Sequence, residues 1–320
     1  MSMANSVLRC WVAGMALVVA GVSARPVRGV VIDQVNAGSA NMTAPADDPG
    51  WNNVGAIWIG AGVYLGYGWV LTANHIGSGA GITLGGVTYT MAPGTGHQLT
   101  NAGASGKSTL TDLSMFQLQG ALPNLPAIRI ASSAPANGDT VTMIGRGSIQ
   151  EANRTFWNVD TSAGPVGPWV WTETIPASAN AAGYQTVGGG TMRWGTNAID
   201  DNDWFRVRGF DVFGLGTTFD PGVSDNEAQV VVGDSGGAVF VKQAGQWSLA
   251  GIIIATGVFP DQPGVAGTAV YGNASYFADL SYYRPQIMAL AVPEPAAMTQ
   301  LLAAGGIGVG VCWFRRRRAG

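Results

Sequence analysis

One serine, one histidine and one aspartate, each in a distinctive local setting, are the residues of this chain best suited to do chemistry together. Ser235 lies in Gly233-Asp234-Ser235-Gly236-Gly237. A serine between glycines can sit on a tight turn whose backbone N–H groups point at one spot. His75 ends the apolar run Trp69-Val70-Leu71-Thr72-Ala73-Asn74, and a histidine at a strand end can take the proton of such a hydroxyl. Asp112 heads the alternating segment Asp112-Leu113-Ser114-Met115-Phe116 and can hold the imidazole in the required tautomer. A serine with a base and an orienting carboxylate performs acyl transfer.

Composition removes most rivals to this chemistry. The 320 residues are 47 % hydrophobic and only 11 % charged, which describes a globular chain. The formal net charge of −3, with no basic stripe interleaved with aromatics, gives no case for nucleic acid. The two cysteines, Cys10 and Cys312, fall in terminal segments, so the body offers no cysteine nucleophile, disulfide or thiolate zinc site. His97 follows Pro93-Gly94-Thr95-Gly96 and reads as a loop residue, which leaves His75 as the general base. No cofactor and no metal are expected, and the Asp200-Asp201-Asn202-Asp203 cluster reads as a solvated loop rather than a Ca²⁺ site.

The elements that must carry these residues are short and strand-like. After a lead-in over 25–53, irregular apart from a strand near Val30-Val31-Ile32, strand character marks 55–59, 63–72, 82–91, 113–118 and 139–144. Gly85-Gly86 reads as a hairpin turn. Residues 157–190, with Pro165, Pro168, Pro176 and a triple glycine, read as an expanded connection between Asp112 and Ser235. Strands resume near 192–194, 205–208 and 229–232, and a hairpin is expected around 243–246. A helix over 276–291 closes the body, with Pro285 limiting where it starts. Many short strands and few helices mean an all-β sandwich or barrel.

The order His75, Asp112, Ser235 separates this chain from α/β-hydrolases and from subtilisin-like enzymes. With the Thr-Ala-Asn-His block, Asp112-Leu113 and Gly-Asp-Ser-Gly-Gly, it resembles the trypsin-like (chymotrypsin-fold) serine proteases across about residues 54 to 257. The resemblance implies two packed six-stranded antiparallel β-barrels, 54–150 and 151–291, with the site in the cleft between them. It implies an endopeptidase acting on peptide or protein substrates, with Gly233 and Ser235 N–H groups as the oxyanion hole. It also puts Gln229 at the base of the primary specificity pocket, where it supports no Lys/Arg preference. Ile254 and Thr256 stand where the family has a serine supporting the catalytic acid and a glycine opening the pocket. In the family, a freed N-terminus pairs with the aspartate beside the nucleophile. Cleavage after Arg28 would free Gly29 for Asp234, and local bonding of Asp234 is the alternative. Two other functions stay open: a serine esterase, and an anchored binding or matrix module that keeps the triad with little turnover.

The ends read as addresses. Residues 1–24 carry Arg9, an apolar stretch and Val22-Ser23-Ala24, the pattern of a secretory signal. In 292–320, Val292-Pro293-Glu294-Pro295 precedes an apolar run from Ala296 to Phe314 and then Arg315 to Arg318. That run is about 28 Å long as a helix, against a hydrocarbon core of about 30 Å. The arginines fix the tail on the cytoplasmic side. The segment resembles the PEP-CTERM sorting signal of Gram-negative bacteria, which implies an exosortase-type partner. It also implies a transient membrane anchor and a destination in the cell envelope, at the surface or in the extracellular matrix.

Overall fold

The computed structural model describes residues 29–264 and 267–291, so the expectations for 1–24 and 292–320 lie outside the described residues. Among those described, no helix is long and apolar enough to cross a membrane. The fold is all-β, with barrel-like antiparallel sheets and one short C-terminal helix. The strands in chain order are β1 (Val31–Ile32), β2 (Val54–Ile57), β3 (Gly60–Gly66), β4 (Trp69–Ala73), β5 (Gly81–Leu84), β6 (Val87–Thr90), β7 (His97–Thr100) and β8 (Leu110–Gln117). Then follow β9 (Thr140–Gly145), β10 (Ser148–Gln150), β11 (Thr155–Asp160), β12 (Val170–Glu173), β13 (Ala181–Gly189), β14 (Arg193–Ala198), β15 (Asp201–Val207) and β16 (Phe210–Thr218). The last are β17 (Ala228–Gln229), β18 (Ala238–Gln243), β19 (Gln246–Gly257), β20 (Thr268–Val270) and β21 (Ala274–Asp279), and helix α1 covers Leu280–Ala291.

The first sheet runs β6-β5-β2-β3-β4-β8-β7 and the second β14-β9-β18-β19-β21-β16-β15. Each has seven strands, one more than the resemblance implied. The hairpin turns hold their central residues at positive φ. Gly85 and Gly86 (φ 54° and 84°) join β5 to β6, and Ala244 and Gly245 (φ 48° and 76°) join β18 to β19. The single strand expected over 63–72 is two, β3 and β4, folded back at Tyr67-Gly68, both with positive φ. Ile57, Val63, Leu71, Leu113 and Phe116 are fully buried on the first sheet. Met143, Leu215, Val239, Ile253 and Phe277 pack with Val30 and Ile32 of the lead-in in the second core. Each such side chain contributes about 1.5–3 kcal/mol by leaving water.

Three expectations need correction. β9 and β10 do not belong with the first sheet, as a boundary at 150 would require, because β9 pairs with β14 and β18 and β10 with β13. The chain passes from the first seven-stranded sheet to the second in the connection between β8 and β9. Residues 157–190 are no plain connection either. β11, β12 and β13, with β10 and β20, form a third sheet built on Trp157, Val159 and Val270. Residues 274–279 are strand β21, so the helix starts at Leu280 and carries Pro285 inside it.

The lead-in is tied down at Asp33, whose carboxylate accepts hydrogen bonds from Arg154 Nη2 (2.8 Å), the hydroxyls of Tyr184 (3.0 Å) and Tyr271, and the Gly222 N–H (2.7 Å). Burial pushes this acid up, but those donors outweigh it and hold it below the usual carboxylate range.

Candidate active site

β4 runs out at Ala73, and Asn74–Ile76 follow as a single 3-10 turn closed by Gly77 at φ 71°. The β4–β8 register sets Ala73 opposite Leu113, which brings Asp112 alongside that turn. One carboxylate then grips the histidine twice. Oδ1 accepts the His75 backbone N–H at 2.9 Å, and Oδ2 lies 2.6 Å from Nδ1. Asp112 is fully buried and the His75 side chain only 10 % exposed. A carboxylate facing Nδ1 favours the tautomer with the proton on Nδ1, and in the neutral imidazole that leaves Nε2 its lone pair. This is the state a general base needs.

The turn bearing Ser235 approaches from the second half of the chain and docks on β3. The Ser235 carbonyl accepts the Ala61 N–H at 2.8 Å. A Cβ on Gly60 would lie 2.7 Å from that carbonyl oxygen and 2.8 Å from Ile76 Cδ1, so the Ser235 turn and the His75 turn meet across Gly60. Gly236 has φ 84°, and a Cβ there would lie 1.9 Å from the Ala61 oxygen and 2.4 Å from Thr72 Oγ1. Only glycine fits that position, in conformation and in space. Among the described residues, Ser235 Oγ and the imidazole share no hydrogen bond. Such bonds commonly tighten only when substrate is bound.

The backbone donors of the turn divide into two groups. Asp234 N–H bonds the Val231 carbonyl (3.1 Å), Gly236 N–H the Ile253 carbonyl (2.8 Å) and Gly237 N–H the Asp234 carbonyl (2.8 Å). The N–H groups of Gly233 and Ser235, the two named as an oxyanion hole, meet no acceptor among the described residues. Gly233 holds φ 97°, the left-handed region that lets this turn reverse. Both residues are partly exposed.

Asp234 itself is fully buried and bonds locally. Its Oδ2 accepts the Val231 N–H (2.8 Å) and its Oδ1 the Gly147 N–H. Burial pushes its carboxyl up to about 7, against the pull of the Val231, Gly147 and Arg146 N–H groups and the charge of Arg193. In the uncut chain, then, Asp234 bonds locally.

Of the three specificity candidates, two come together. Gln229 is fully buried, and its Nε2 donates to Thr256 Oγ1 (2.7 Å) and to the carbonyls of Ala274 (2.9 Å) and Val230 (3.0 Å). Its Oε1 is buried without a partner. Ile254 sits at a register shift of β19 against β21 and is 2 % exposed. It donates nothing to Asp112, whose described partners are both on His75. Two residues before Gln229, Glu227 is also buried. Burial drives its carboxyl to about 8, opposed by the Asp220 N–H and reinforced by the charges of Asp220, Asp200 and Asp33. The acidic cluster expected in a loop lies at the head of edge strand β15, where the Asp201 and Asp203 carboxylates accept their neighbours' N–H groups. Likewise His97 heads strand β7 and tilts against Trp69.

Ala61, Gly145, Gly147 and Arg193 also support the turn and carry no chemical signature in the sequence. Their only signal was the glycine pair around Arg146, which marks a close approach of backbone.

No family model and no curated protein matches the sequence. Solved structures to which the chain is similar include neuropsin, a serine protease of mouse brain (18 % identity, 75 % of this chain and 94 % of that one, TM-score 0.44). Another is Rv3671c from M. tuberculosis H37Rv in an inactive form (12 % identity, 83 % and 99 %, TM-score 0.43). A third is the NS6 protease of murine norovirus 1 (14 % identity, 74 % and 93 %, TM-score 0.37). At such scores these likenesses assign no chemistry to this chain, which rests on the side chains described above.

Proposed function

We propose that the protein is a serine hydrolase that cleaves peptide bonds through His75, Asp112 and Ser235. Ser235 Oγ attacks the carbonyl carbon while His75 Nε2 takes its proton, and Asp112 steadies the imidazolium that forms. The N–H groups of Gly233 and Ser235 receive the developing oxyanion, where one such donor contributes about 2.7–4 kcal/mol to the transition state. His75 then returns the proton to the leaving amine, and water, activated by the same imidazole, releases the acyl group. The observation that carries this reading is the double grip of Asp112 on His75 beside a turn that spends every N–H except those two.

The test is labelling by a serine-reactive fluorescent phosphonate together with turnover of a fluorogenic peptide library and a simple ester. Ser235→Ala should abolish both label and turnover. Undiminished labelling of that variant would refute the nucleophile. Turnover of the ester alone would make the protein an esterase. A binding module that keeps the triad is favoured by one observation: the Gln229 amide spends its donors on Val230, Thr256 and Ala274 rather than facing a pocket. Absence of turnover with both substrates would select it. Export by the N-terminal segment, and sorting of the tail by an exosortase-type enzyme to the envelope or matrix, complete the proposal. They would be read from the subcellular fraction and the mass of the mature protein.

A further inference from the structure

The segment Gly145-Arg146-Gly147 does nothing in the reaction as described, yet it is packed against the buried carboxylate next to the nucleophile. A Cβ on Gly145 would lie 2.2 Å from Asp234 Oδ1, and one on Gly147 2.7 Å from both Asp234 Cγ and Oδ2. Neither glycine has positive φ. Their missing side chains therefore provide room, and the carboxylate fills it.

On the other face of the same segment lies the lead-in. A Cβ on Gly29 would fall 2.6 Å from the Gly145 oxygen and 2.5 Å from the Arg193 nitrogen. The Gly29 nitrogen is already committed to the Thr191 carbonyl at 2.6 Å. Downstream of it, β1 pairs with β17, with Val31 opposite Gln229. The lead-in is thus seated while Gly29 is an ordinary internal residue, and its nitrogen is directed at a carbonyl rather than at Asp234. The positive charge that a chain terminus would bring is supplied from within. Arg193 is only 2 % exposed, bonds Gln150 and the Gly38 carbonyl, and extends its field to Asp234.

We propose that the turn bearing Ser235 is held in working shape by Gly145 and Gly147 clasping Asp234, and not by a freed N-terminus, so that hydrolysis needs no cleavage after Arg28. This rests on the serine-hydrolase reading and adds its regulation. Gly145 and Gly147 are positioning residues: they act through Asp234 on the donors of Gly233 and Ser235.

The experiment uses the full chain, wild type and Arg28→Gln, with the fluorescent phosphonate and a small ester. Arg28→Gln should be labelled at the wild-type rate within about twofold. Mass spectrometry of the labelled species should find residue 28 still joined to Gly29. Gly147→Ala should lower kcat on the ester by about a hundredfold with KM within about threefold, because the turn that serves the transition state moves while the ester still binds. A purely structural role would instead lower the melting temperature and leave kcat per folded molecule unchanged. Should Gly147→Ala not fold, Asp234→Asn serves in its place, with kcat falling at least tenfold. Label confined to molecules cut after Arg28, or an unchanged kcat in the variants, overturns the proposal and leaves the hydrolase reading standing. No label on either form, cut or uncut, removes both.

Discussion

Two buried aspartates divide the site between them, and they are handled in opposite ways. Asp112, on the first sheet, accepts only from His75, once from its backbone and once from its ring. Asp234, between the second sheet and the Ser235 turn, accepts only backbone N–H groups. In the proposed reaction the first carboxylate faces a group that changes charge, and its value would lie in answering that change. The second faces donors that never change, and its value lies in fixing the path of the chain. Equal burial therefore says nothing about role, whereas the nature of the partner says nearly everything.

The sharpest way to break this contrast is to neutralise each acid in turn. Asp112→Asn should lower kcat by roughly 10⁴-fold with the fold intact. Its amide would donate to Nδ1, moving the proton to Nε2 and removing the base. Steady-state kinetics beside a thermal melt would show this, and a loss below tenfold would return Asp112 to a structural role. At Asp234 the same exchange acts on stability as well, because both carboxylate oxygens accept N–H groups and an amide NH₂ can replace neither. The expected cost is about 1–3 kcal/mol, read from denaturant midpoints. Gly236→Ala should cost more than that, about 3 kcal/mol or above, since it combines a left-handed φ with contact against the Ala61 carbonyl.

A separate effect follows from pH. Asp234 and Glu227 are raised to about 7 and about 8, so the folded protein keeps protons that the unfolded chain releases. More protons are bound in the folded state between the ordinary carboxylate range and those values. Stability therefore falls as pH rises from about 5 through 8 and levels off above. Denaturation midpoints measured at pH 5, 7 and 9 should decline in that order, and Glu227→Gln should flatten the upper part of the slope. Smallest of all is Trp58, 77 % exposed at φ 39° in the turn between β2 and β3. Trp58→Asn should stabilise by up to about 1 kcal/mol, since asparagine tolerates that conformation and little buried surface is lost.

How much of this was legible in the sequence depended on the range of each contact. The three candidate residues carried local signals: a strand end, an alternating run and a glycine-flanked serine. β2, β5, β6, β8 and β9 were legible for the same reason, through alternation and turn glycines. β11 was not, although Thr155, Trp157 and Val159 alternate inward along it, because three prolines and a glycine run nearby outweighed that pattern. The allegiance of β9 to the second sheet was out of reach, since its partners β14 and β18 are remote and no residue within it names them. Asp234 was the hardest. Its partners are backbone groups, which every residue possesses, and only the coordinates tell which ones turn toward it.

The pairing of β1 with β17, Val31 opposite Gln229, joins the lead-in to residues just before the Ser235 turn. Nothing translated before Gln229 can complete that contact, and long-range strand pairing is slow to form. The turn that carries Ser235 follows β17 directly and docks on β3, so the proposed site cannot be assembled until the chain has been made past that turn.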